Sequence, residues 1–529
     1  MKILYVNPSR LTTGLDMIIK GPPLSLISIA GMVPEHDAKL FDFKVHKYKE
    51  KRFRALLNRS DVVAITSMTP QISNAFEVAQ MANEQGCTTI LGGYHPTLAP
   101  DYVAKHPAVD YTIRGEGENT FKELIQYIDG NKNRVLLKDI DGVSYKNSEG
   151  KVLHNKDRML ELNMDNFGMP RRDLLDDKKY VYLGARVATL ETSRGCPHNC
   201  KFCCIIKMWR NPGQPITYRT KSTKRIMEEI YTIDLKNDFI FFCEDNFTIK
   251  IKRTKKILET IIRSGIQNRI MLSCQSRVDS LYRNPWLIDL MHKAGMRQVF
   301  LGIESVHQQS LDAMNKKNLT PDKVRKVVSQ LQDRGISIFG GVIIGFPGET
   351  KTMVRQNIQF ARSLNMTIVQ FTPITAFPGT PFYDEMKEKG MVTSNNYKHY
   401  DLFHTMMRTE QLTNIEIYRL VAESYSAYYM GYRGWLKTML IRYCNPFGNF
   451  NWMGKNIPQF AKTVIMSGLD MFHSMGMTRG AISDEMLALM QRAEEGKPLI
   501  LDKSPGNVES EKEVISLAKK QKISLKASD

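Results

Sequence analysis

The chain of 529 residues has a formal net charge of +19 at pH 7, and 42% of its residues are hydrophobic. This composition is typical of a globular protein, and the length allows two or three domains with full cores. No segment approaches the roughly 18 uninterrupted apolar residues of a membrane span, which excludes a transmembrane helix. The positive charge leaves nucleic acid, an anionic membrane surface and anionic substrates open as partners, beside a cationic surface that only maintains solubility.

Residues 1–140 alternate short apolar runs with helical stretches, the pattern of a Rossmann-like α/β domain with a parallel sheet covered on both faces. The apolar part of the first run is too short for a signal peptide. Most cysteines are single and scattered, which suits a reducing cytosol, so we expect a cytoplasmic protein and leave membrane association open. The predicted strands are Lys2–Val6, Asp61–Ser67, Thr88–Leu91 and Val109–Arg114.

The turns that follow these strands carry a recognisable series of residues. Ligands of open α/β sheets bind at the carboxyl ends of the strands. A Gly-Gly-x-His-Pro-Thr sequence at residues 92–97 is followed by Gly-Glu-Gly-Glu at residues 115–118. This series resembles the cobalamin-binding domain found ahead of many radical enzymes. The resemblance implies cobalamin contacts from Ser67, Gly92, Gly93, His95, Gly115 and Glu116.

One feature of cobalamin-binding domains is missing from the sequence. The Asp-x-His-x-x-Gly motif supplies a lower axial histidine to cobalt, and here Asp42 and His46 have the wrong spacing for it. The family that the chain resembles usually binds cobalamin without this ligand, while some relatives keep the domain and have lost the cofactor. We therefore expect cobalamin and leave a cobalamin-free domain open. His95, a loop residue, either contacts the corrin or caps a helix or turn.

A linker and a second α/β region follow the first domain. Residues 141–185 form the linker, with a predicted hairpin turn at Asn147–Gly150. Residues 186–400 contain six strand–helix units instead of eight, which predicts a partial (β/α)6 barrel with its catalytic residues at the carboxyl ends of the strands. The predicted strands are Val187–Thr192, Phe239–Phe242, Ile270–Ser273, Gln298–Leu301, Ser337–Ile344 and Ile368–Thr372.

Three cysteines follow the first of these strands: Cys196, Cys200 and Cys203. Thiolates this close can hold one metal centre from a single loop, and a [4Fe–4S] cluster normally takes four. The triad leaves one iron open for a small molecule, and in this it resembles the radical S-adenosylmethionine (SAM) enzymes. A structural zinc site is the alternative and would need four Cys or His ligands. Cys204 adjoins the third cysteine, and His198 has no second Cys/His pair downstream, so we favour the iron–sulfur cluster.

Polar residues and glycines stand at the ends of the later barrel strands, in the order and spacing of the radical SAM family. Taken singly, each could be a helix cap or a member of a salt bridge. The resemblance implies that acidic residues bind the amino group of SAM, a Ser-Arg pair binds its carboxylate, and another acid binds the ribose or amino group. An aromatic residue and two glycines would lie against the adenine. The residues implied for the amino group are Glu244 and Asp245, those for the carboxylate are Ser276 and Arg277, and the one for the ribose or amino group is Glu304. The residues implied at the adenine are Phe202, Gly341 and Gly345.

The last part of the chain has a different composition. Residues 401–495 are predicted to be helical, and residues 496–529 to be a mobile tail. Between Ser426 and Ile482 the sequence has six Lys or Arg, one acid and ten aromatic residues. Such a segment is typical of a helix surface that lies on an anionic bilayer, but it could also be a helical cap with its aromatics in the core. RNA binding also uses basic and aromatic residues, but no recognition module is visible, so we expect no nucleic acid partner.

The sequence after the cysteine triad narrows the resemblance. Residues 204–210 and 218–222 resemble the subgroup of hopanoid methylases, the anaerobic magnesium-porphyrin ester cyclase and tetraether-lipid ring synthases. The resemblance implies an enzyme whose 5′-deoxyadenosyl radical abstracts hydrogen from an unactivated carbon of a hydrophobic substrate, for which we expect an isoprenoid lipid. It allows cobalamin-dependent C-methylation or ring formation, with a peptide or protein C-methyltransferase, a porphyrin oxidative cyclase or a cofactor-binding sensor as alternatives. The resemblance implies the substrate and an electron donor such as ferredoxin or flavodoxin as partners, and the basic, aromatic C-terminal segment leaves peripheral contact with an anionic membrane open.

Overall fold

The chain forms two α/β domains followed by the start of a helical segment, which confirms the predicted fold class. No helix in the part of the chain that is described is long and apolar enough to cross a membrane. Most of the basic, aromatic segment and the whole predicted tail, residues 431–529, lie outside the described residues. The computed structural model describes residues 1–8, 20–130, 135–182, 185–211, 213–233 and 239–430.

The N-terminal domain is built on a single seven-stranded sheet. Its strands are β1 (Lys2–Asn7), β2 (Asp37–Asp42), β3 (Val62–Thr66), β4 (Thr88–Gly92), β5 (Tyr111–Ile113), β6 (Val143–Lys146) and β7 (Val152–His154). They lie in the order β2-β1-β3-β4-β5-β6-β7, with the first five parallel. The predicted hairpin is confirmed, because β6 and β7 are antiparallel neighbours. The edge strand β2 was not predicted. Its first four residues are at least partly exposed, so it has no continuous apolar run like those of the central strands.

Helices cover both faces of this sheet. They are α1 (Leu24–Ala30), α2 (Glu50–Leu57), α3 (Ile72–Asn83), α4 (Tyr94–Leu98), α5 (Pro100–Ala104) and α6 (Gly117–Ile128). Val63 and Ile65 of β3 pack with α2 and α3, whereas Val62 and Ala64 pack with α1 and α6. Because both faces are buried, the central strands form continuous apolar runs instead of alternating ones.

The second domain is built on an open half-barrel sheet. Its strands are β8 (Val181–Tyr182), β9 (Ala185–Leu190), β10 (Ser193–Gly195), β11 (Tyr218–Thr220), β12 (Phe239–Phe242), β13 (Met271–Ser276), β14 (Met296–Glu304), β15 (Ser337–Ile344) and β16 (Ile368–Pro373). The sheet order is β16-β15-β14-β13-β12-β9-β8, while β10 and β11 form a separate antiparallel ribbon. Strand β9 and the five strands β12 to β16 are parallel, which confirms the predicted partial barrel of six strands. Strand β8 is an antiparallel addition at the edge.

Amphipathic helices connect the strands of the half-barrel. They are α7 (Ile205–Met208), α8 (Thr223–Thr232), α9 (Ile251–Ser264), α10 (Val278–Arg283), α11 (Trp286–Lys293), α12 (Gln308–Ala313), α13 (Pro321–Asp333), α14 (Lys351–Ser363) and α15 (Pro381–Glu388). Several begin at a hydroxyl side chain that accepts a backbone N–H, as Thr320 does for α13 and Thr350 for α14. Their apolar faces and the strands form the large core of the second domain.

A last helix, α16 (Asn414–Tyr425), closes the open edge of the half-barrel. Strand β16 ends the sheet, so its outer backbone groups have no strand partner. The N–H of Phe371 donates to the Tyr425 hydroxyl at 3.2 Å. The Tyr429 hydroxyl accepts from the N–H of Val369 at 2.9 Å and donates to its carbonyl at 2.7 Å. The described start of the C-terminal segment therefore caps the barrel, which was one of the two expectations for its aromatic residues.

Candidate active site

A cavity that opens to solvent lies between the two domains, where the carboxyl ends of both sheets meet. The first-domain wall comes from α1, the ends of β3, β4 and β5, and the start of α6. The second-domain wall comes from the residues after β9 and β12 and from the end of α7. Ligands of α/β sheets bind at such carboxyl ends. The predicted site residues that line the cavity are Gly92, Gly93, Gly115, Glu116, Glu244 and Asp245.

The first-domain wall has the small side chains and bare backbone that a bulky cofactor needs. Ser25 and Ser28 of α1 and Ala64 of β3 line it. A Cβ added at Gly115 would meet no atom within 4 Å, and the φ of +69° at this residue favours glycine. The described lining contains no histidine. The residues present therefore fit a large ring such as cobalamin, bound without a protein imidazole.

The turn after β4 is held by backbone hydrogen bonds. The N–H of Ser67 donates to the Gly92 carbonyl at 2.9 Å, and the N–H of His95 donates to the Ser67 carbonyl at 3.1 Å. The His95 ring is buried against Tyr397 and Tyr102, at centroid distances of 4.5 and 5.8 Å. Neither ring nitrogen has a hydrogen-bond partner, and burial lowers the pKa of His95 to about 3. The side chains of Ser67 and His95 thus lie behind the turn, outside the cavity lining.

The predicted cluster cysteines lie on the loop between β10 and α7. Arg210 fixes this loop by donating to the carbonyl oxygens of Cys196 at 2.9 Å and His198 at 2.8 Å. The N–H of Lys201 donates to the Met314 carbonyl at 3.1 Å, which ties the loop to the end of α12. Each cysteine of the loop is free. The three that could ligate a cluster are Cys196, Cys200 and Cys203.

The chemistry of this donor set fits an iron–sulfur cluster. Burial raises the pKa of the Cys196 and Cys203 thiols, so that cluster assembly would release their protons. Among the described residues, no group of three or more His, Cys, Asp or Glu side chains is arranged to hold a single metal ion. In a cubane each thiolate binds a different iron, so the ligands need not converge on one point. The described part of the chain therefore offers thiols for a cluster and no single-ion zinc site.

Three carboxylates stand at the ends of β9 and β12 in the second-domain wall. Glu244 accepts hydrogen bonds from the N–H of Thr192 at 3.2 Å and from the Thr192 hydroxyl. Burial raises the pKa of Glu244, and burial together with the charges of Glu191 and Glu244 raises that of Asp245 to about 7. Such a wall suits the ammonium group of a ligand, because an opposite charge offsets the desolvation of the carboxylates. Glu191 was not predicted from the sequence, although it directly follows strand β9. Glu244, which was predicted, lies two residues after the end of β12.

We expect Asp245→Asn to stabilise the cofactor-free protein at pH 8 and to leave its stability nearly unchanged at pH 4. The folded state holds the Asp245 proton up to about pH 7, whereas the unfolded chain releases it near the ordinary value of 3.8. Stability therefore falls as the pH rises between these values, and Asn removes a penalty of roughly 2–4 kcal/mol above them. Chemical unfolding at the two pH values measures the difference.

The matched control for that substitution is Asp289→Asn. A hydrogen bond from Arg334 lowers the pKa of Asp289, so its carboxylate is favoured in the folded state and Asn should not stabilise the protein at pH 8. Equal effects of both substitutions, or a gain from Asp245→Asn that does not grow with pH, would contradict the assignment of a desolvated carboxyl to the cavity wall.

The other predicted SAM residues of the strand ends lie outside the cavity lining. The hydroxyls of Ser276 and Thr248 are hydrogen-bonded at 2.7 Å. Arg277 donates from Nε to Asp279 at 2.9 Å. Glu304 has a positive φ and forms an ion pair with Lys316. These polar groups already have protein partners, and their binding to SAM stays a prediction.

The predicted adenine-binding residues are closely packed. A Cβ at Gly341 would lie 3.0 Å from the ring of Phe300, and one at Gly345 would lie 3.1 Å from a side chain of α16. Phe202 packs edge-on against Phe346 with a centroid distance of 6.4 Å. Larger residues at the two glycines would displace their neighbours, and a role at the adenine stays a prediction for all three.

A buried ion-pair network crosses from the first domain to the second beside the cavity. Arg194 of β10 pairs with Glu116 at 2.8 Å and with Glu118 at 2.5 Å, and it also pairs with Glu191 at 2.9 Å. Arg219 of β11 pairs with Glu116 at 2.9 Å. Glu116, predicted as a cobalamin contact, thus lies in the cavity wall between two arginines. Sequence reasoning missed both arginines, because their interdomain partners are 76 to 103 residues away.

Comparisons with known proteins agree with this division into two domains. A model of the B12 binding domain matches residues 19–125, and a model of the Radical SAM superfamily matches residues 190–361. An uncharacterized methyltransferase of Pyrococcus horikoshii is 32% identical over 446 residues, covering 81% of this chain and 93% of that protein. The anaerobic magnesium-protoporphyrin IX monomethyl ester cyclase of Rubrivivax gelatinosus is 26% identical over 440 residues, covering 81% of this chain and 78% of the cyclase.

A solved structure has the same fold. The cobalamin-dependent S-adenosylmethionine radical enzyme OxsB, with aqua-cobalamin and S-adenosylmethionine bound, aligns with a TM-score of 0.64. The alignment covers 99% of this chain and 79% of that chain, at 16% sequence identity. At this identity the likeness concerns the fold alone.

Fold and site together define an enzyme with a cofactor-binding α/β domain packed on a half-barrel that carries a cysteine triad. The chain belongs to the radical SAM superfamily, in the group with an N-terminal B12-binding domain. Its cofactors are a [4Fe–4S] cluster, SAM and cobalamin. The predicted resemblance is confirmed, and the alternative of a sensor without turnover is set aside.

Proposed function

We propose that this enzyme transfers a methyl group to an unactivated carbon of a hydrophobic substrate, and that the substrate is an isoprenoid lipid. One observation carries the proposal. The glycine turns of the B12-binding domain and the carboxylates at the barrel mouth line one cavity, so a substrate in it can reach both cofactors. When bound, the cofactors supply one-electron cleavage of SAM, hydrogen abstraction and a transferable methyl group.

The residues of the chain would bind and orient the cofactors and shield the reactive carbon from water. Three thiols on one loop would hold the cluster, and the carboxylates of Glu191, Glu244 and Asp245 in the cavity wall would attract the ammonium end of SAM. The backbone at Gly92 and Gly115, which lines the cavity, would hold the corrin ring. Met208 and Trp209 line the same cavity and keep water from the reactive carbon.

The proposed substrate class and partners rest on several kinds of support. The methyl transfer is supported by the similarity to a methyltransferase over most of both chains. The hydrophobic substrate is supported by the resemblance of residues 204–210 and 218–222 to enzymes that act on lipids and porphyrins. Radical SAM chemistry needs a reductant, and we propose ferredoxin or flavodoxin in the cytoplasm, where the seven described cysteines would stay free. Contact of the C-terminal segment with an anionic membrane stays a prediction outside the described residues.

Ring formation is the second candidate function. It is favoured by the similarity to the magnesium-protoporphyrin ester cyclase over 81% of this chain. In that case the substrate radical would close a ring without receiving a methyl group. Label from SAM therefore distinguishes the two functions.

The test is anaerobic purification, reconstitution with iron, sulfide and hydroxocobalamin, and incubation with lipid extract and SAM carrying a trideuterated methyl group. Methyl transfer predicts one cluster and one corrinoid per chain and a lipid that has gained the trideuterated methyl. Ring formation predicts a lipid that has lost hydrogen and carries no label. Protein that assembles neither cofactor, or cleaves no SAM when reduced, would overturn the proposal.

A further inference from the structure

The buried ion pairs beside the cavity connect the wall that would hold cobalamin to the strand that leads into the cluster loop. We infer that Arg194 is a positioning residue that couples residues 115–118, the turn after β5 with the first residues of α6 and hereafter the cobalamin-binding loop, to the cluster loop, so that binding of one cofactor changes the binding of the other. The inference rests on the proposed function only in requiring that both cofactors bind.

The position of Arg194 in the chain makes it a direct link to the cluster. It lies two residues before Cys196, the first cluster cysteine. Gly195, between them, has a φ of +86°, and a Cβ there would lie 2.4 Å from the Thr217 carbonyl. The backbone at Gly195 is therefore packed against the residue that precedes β11. Within the β10–β11 ribbon, Arg194 pairs with Arg219. Because only Gly195 separates Arg194 from Cys196, a shift of Arg194 would be passed to the start of the cluster loop.

The other end of the link is the loop that lines the cobalamin cavity. Residues 115–118 all line the cavity, and so does Arg194 itself. The Arg194 guanidinium bonds to both carboxylates of this loop, Glu116 and Glu118. A bulky ring bound against Gly115 would therefore act on the position of both carboxylates and, through them, on the arginine.

Burial makes this link stiff. The side chains of Arg194 and Arg219 are 7% and 3% exposed, and those of Glu116 and Glu118 are 4% and 6% exposed. Separating buried charges is costly, because each would be left without water or a partner. The aromatic rings of Phe167 and Trp209 pack on the guanidinium at 5.1 Å and restrict it further. The loop and the arginine therefore move together or not at all.

The test measures binding, without turnover. The dissociation constant of hydroxocobalamin is determined for cluster-free and for reconstituted protein, and the ratio of the two values is the coupling factor. We expect a ratio of about tenfold in the wild-type protein, within the usual range for linked sites. Arg194→Lys keeps the charge but loses the forked contacts, and Glu118→Gln keeps the shape but loses the charge. Arg194→Lys should bring the ratio close to one, and Glu118→Gln should lower it clearly although Glu116 stays paired with Arg194, while each cofactor still binds.

Arg225→Lys is the matched control. Arg225 also makes a buried ion pair, with Glu229 at 2.8 Å in the same domain, but it does not line the cavity. This variant should keep the wild-type ratio even if its thermal stability falls. A second readout is the electron paramagnetic resonance spectrum of the reduced cluster, which should change on adding cobalamin in the wild-type and control proteins but not in Arg194→Lys.

The outcomes separate this inference from the proposed function. The coupling is overturned if the coupling factor of the wild-type protein is one, or if Arg194→Lys and Glu118→Gln both have the same coupling factor as the wild-type protein. Either result leaves the proposal of methyl transfer unaffected. Should Arg194→Lys not fold, Glu118→Gln decides the question. Failure of the wild-type protein to bind either cofactor would overturn the proposed function together with the coupling, whereas bound cofactors without methylated product would affect the proposed function alone.

Discussion

Cys196→Ala, Cys200→Ala and Cys203→Ala are each expected to lose the [4Fe–4S] cluster and to reduce SAM cleavage at least 100-fold, to the level of the assay background. The three thiols are the ligands that one loop offers, and a cubane held by two thiolates would not stay assembled. Cys200 is buried, but none of the three cysteines belongs to the hydrophobic core clusters of the described residues, so the variants should still fold. Iron and sulfide content, the spectrum of the reduced protein and the yield of 5′-deoxyadenosine measure the effect.

Cys204→Ala is the matched control, because Cys204 is the next residue along the chain and has a similar environment. Burial and the charge of Asp245 raise the pKa of Cys204 to about 11, as burial also raises those of Cys196 and Cys203, so the control differs from the triad in its position in the loop. Its replacement should leave the iron content and SAM cleavage within twofold of the wild-type values. Loss of the cluster in Cys204→Ala, or full iron content in any of the three triad variants, would mean that the ligand set has been misassigned.

The sequence was most informative where structure depends on a short segment. Strand β3 is a continuous apolar run because it is buried on both faces, and each parallel strand of the half-barrel contains a shorter apolar run. All of them were predicted within three residues of their observed bounds. The cysteine triad is likewise contained in one loop. Strands β2 and β8 lie at sheet edges, where burial on one side gives no continuous apolar run, and neither was predicted.

The candidate site was only partly predictable, because most of its geometry comes from residues distant in sequence. Gly92 and Gly115 could be identified from the turns that contain them. The pairing of Arg194 with Glu116 joins residues 78 positions apart and leaves no local pattern. His95 shows the opposite problem, since its motif is local, but the fold buries its ring against Tyr397 from the far end of the second domain.

Gly93→Ala is expected to abolish cobalamin binding and to destabilise the first domain by about 3 kcal/mol. Gly93 has φ of 107° and ψ of −160°, a region that only glycine adopts without large strain. A Cβ there would lie 3.0 Å from the Ser67 carbonyl and 3.0 Å from the Thr66 hydroxyl. Because these atoms belong to the end of β3, the turn would have to move into the space that the corrin needs.

Gly86→Ala separates this effect from the general cost of replacing a glycine. Gly86 also has a positive φ, of +77°, but a Cβ there would meet no atom within 4 Å. This substitution should cost only about 1 kcal/mol, the usual penalty for a left-handed residue, and should leave cobalamin binding unchanged. Corrinoid content after reconstitution and the unfolding midpoint of the two variants provide the comparison. Equal effects of Gly93→Ala and Gly86→Ala on corrinoid content and stability would mean that the loss comes from replacing a glycine of positive φ in general. The close approach of the Gly93 turn to β3 would then have no part in holding the cofactor.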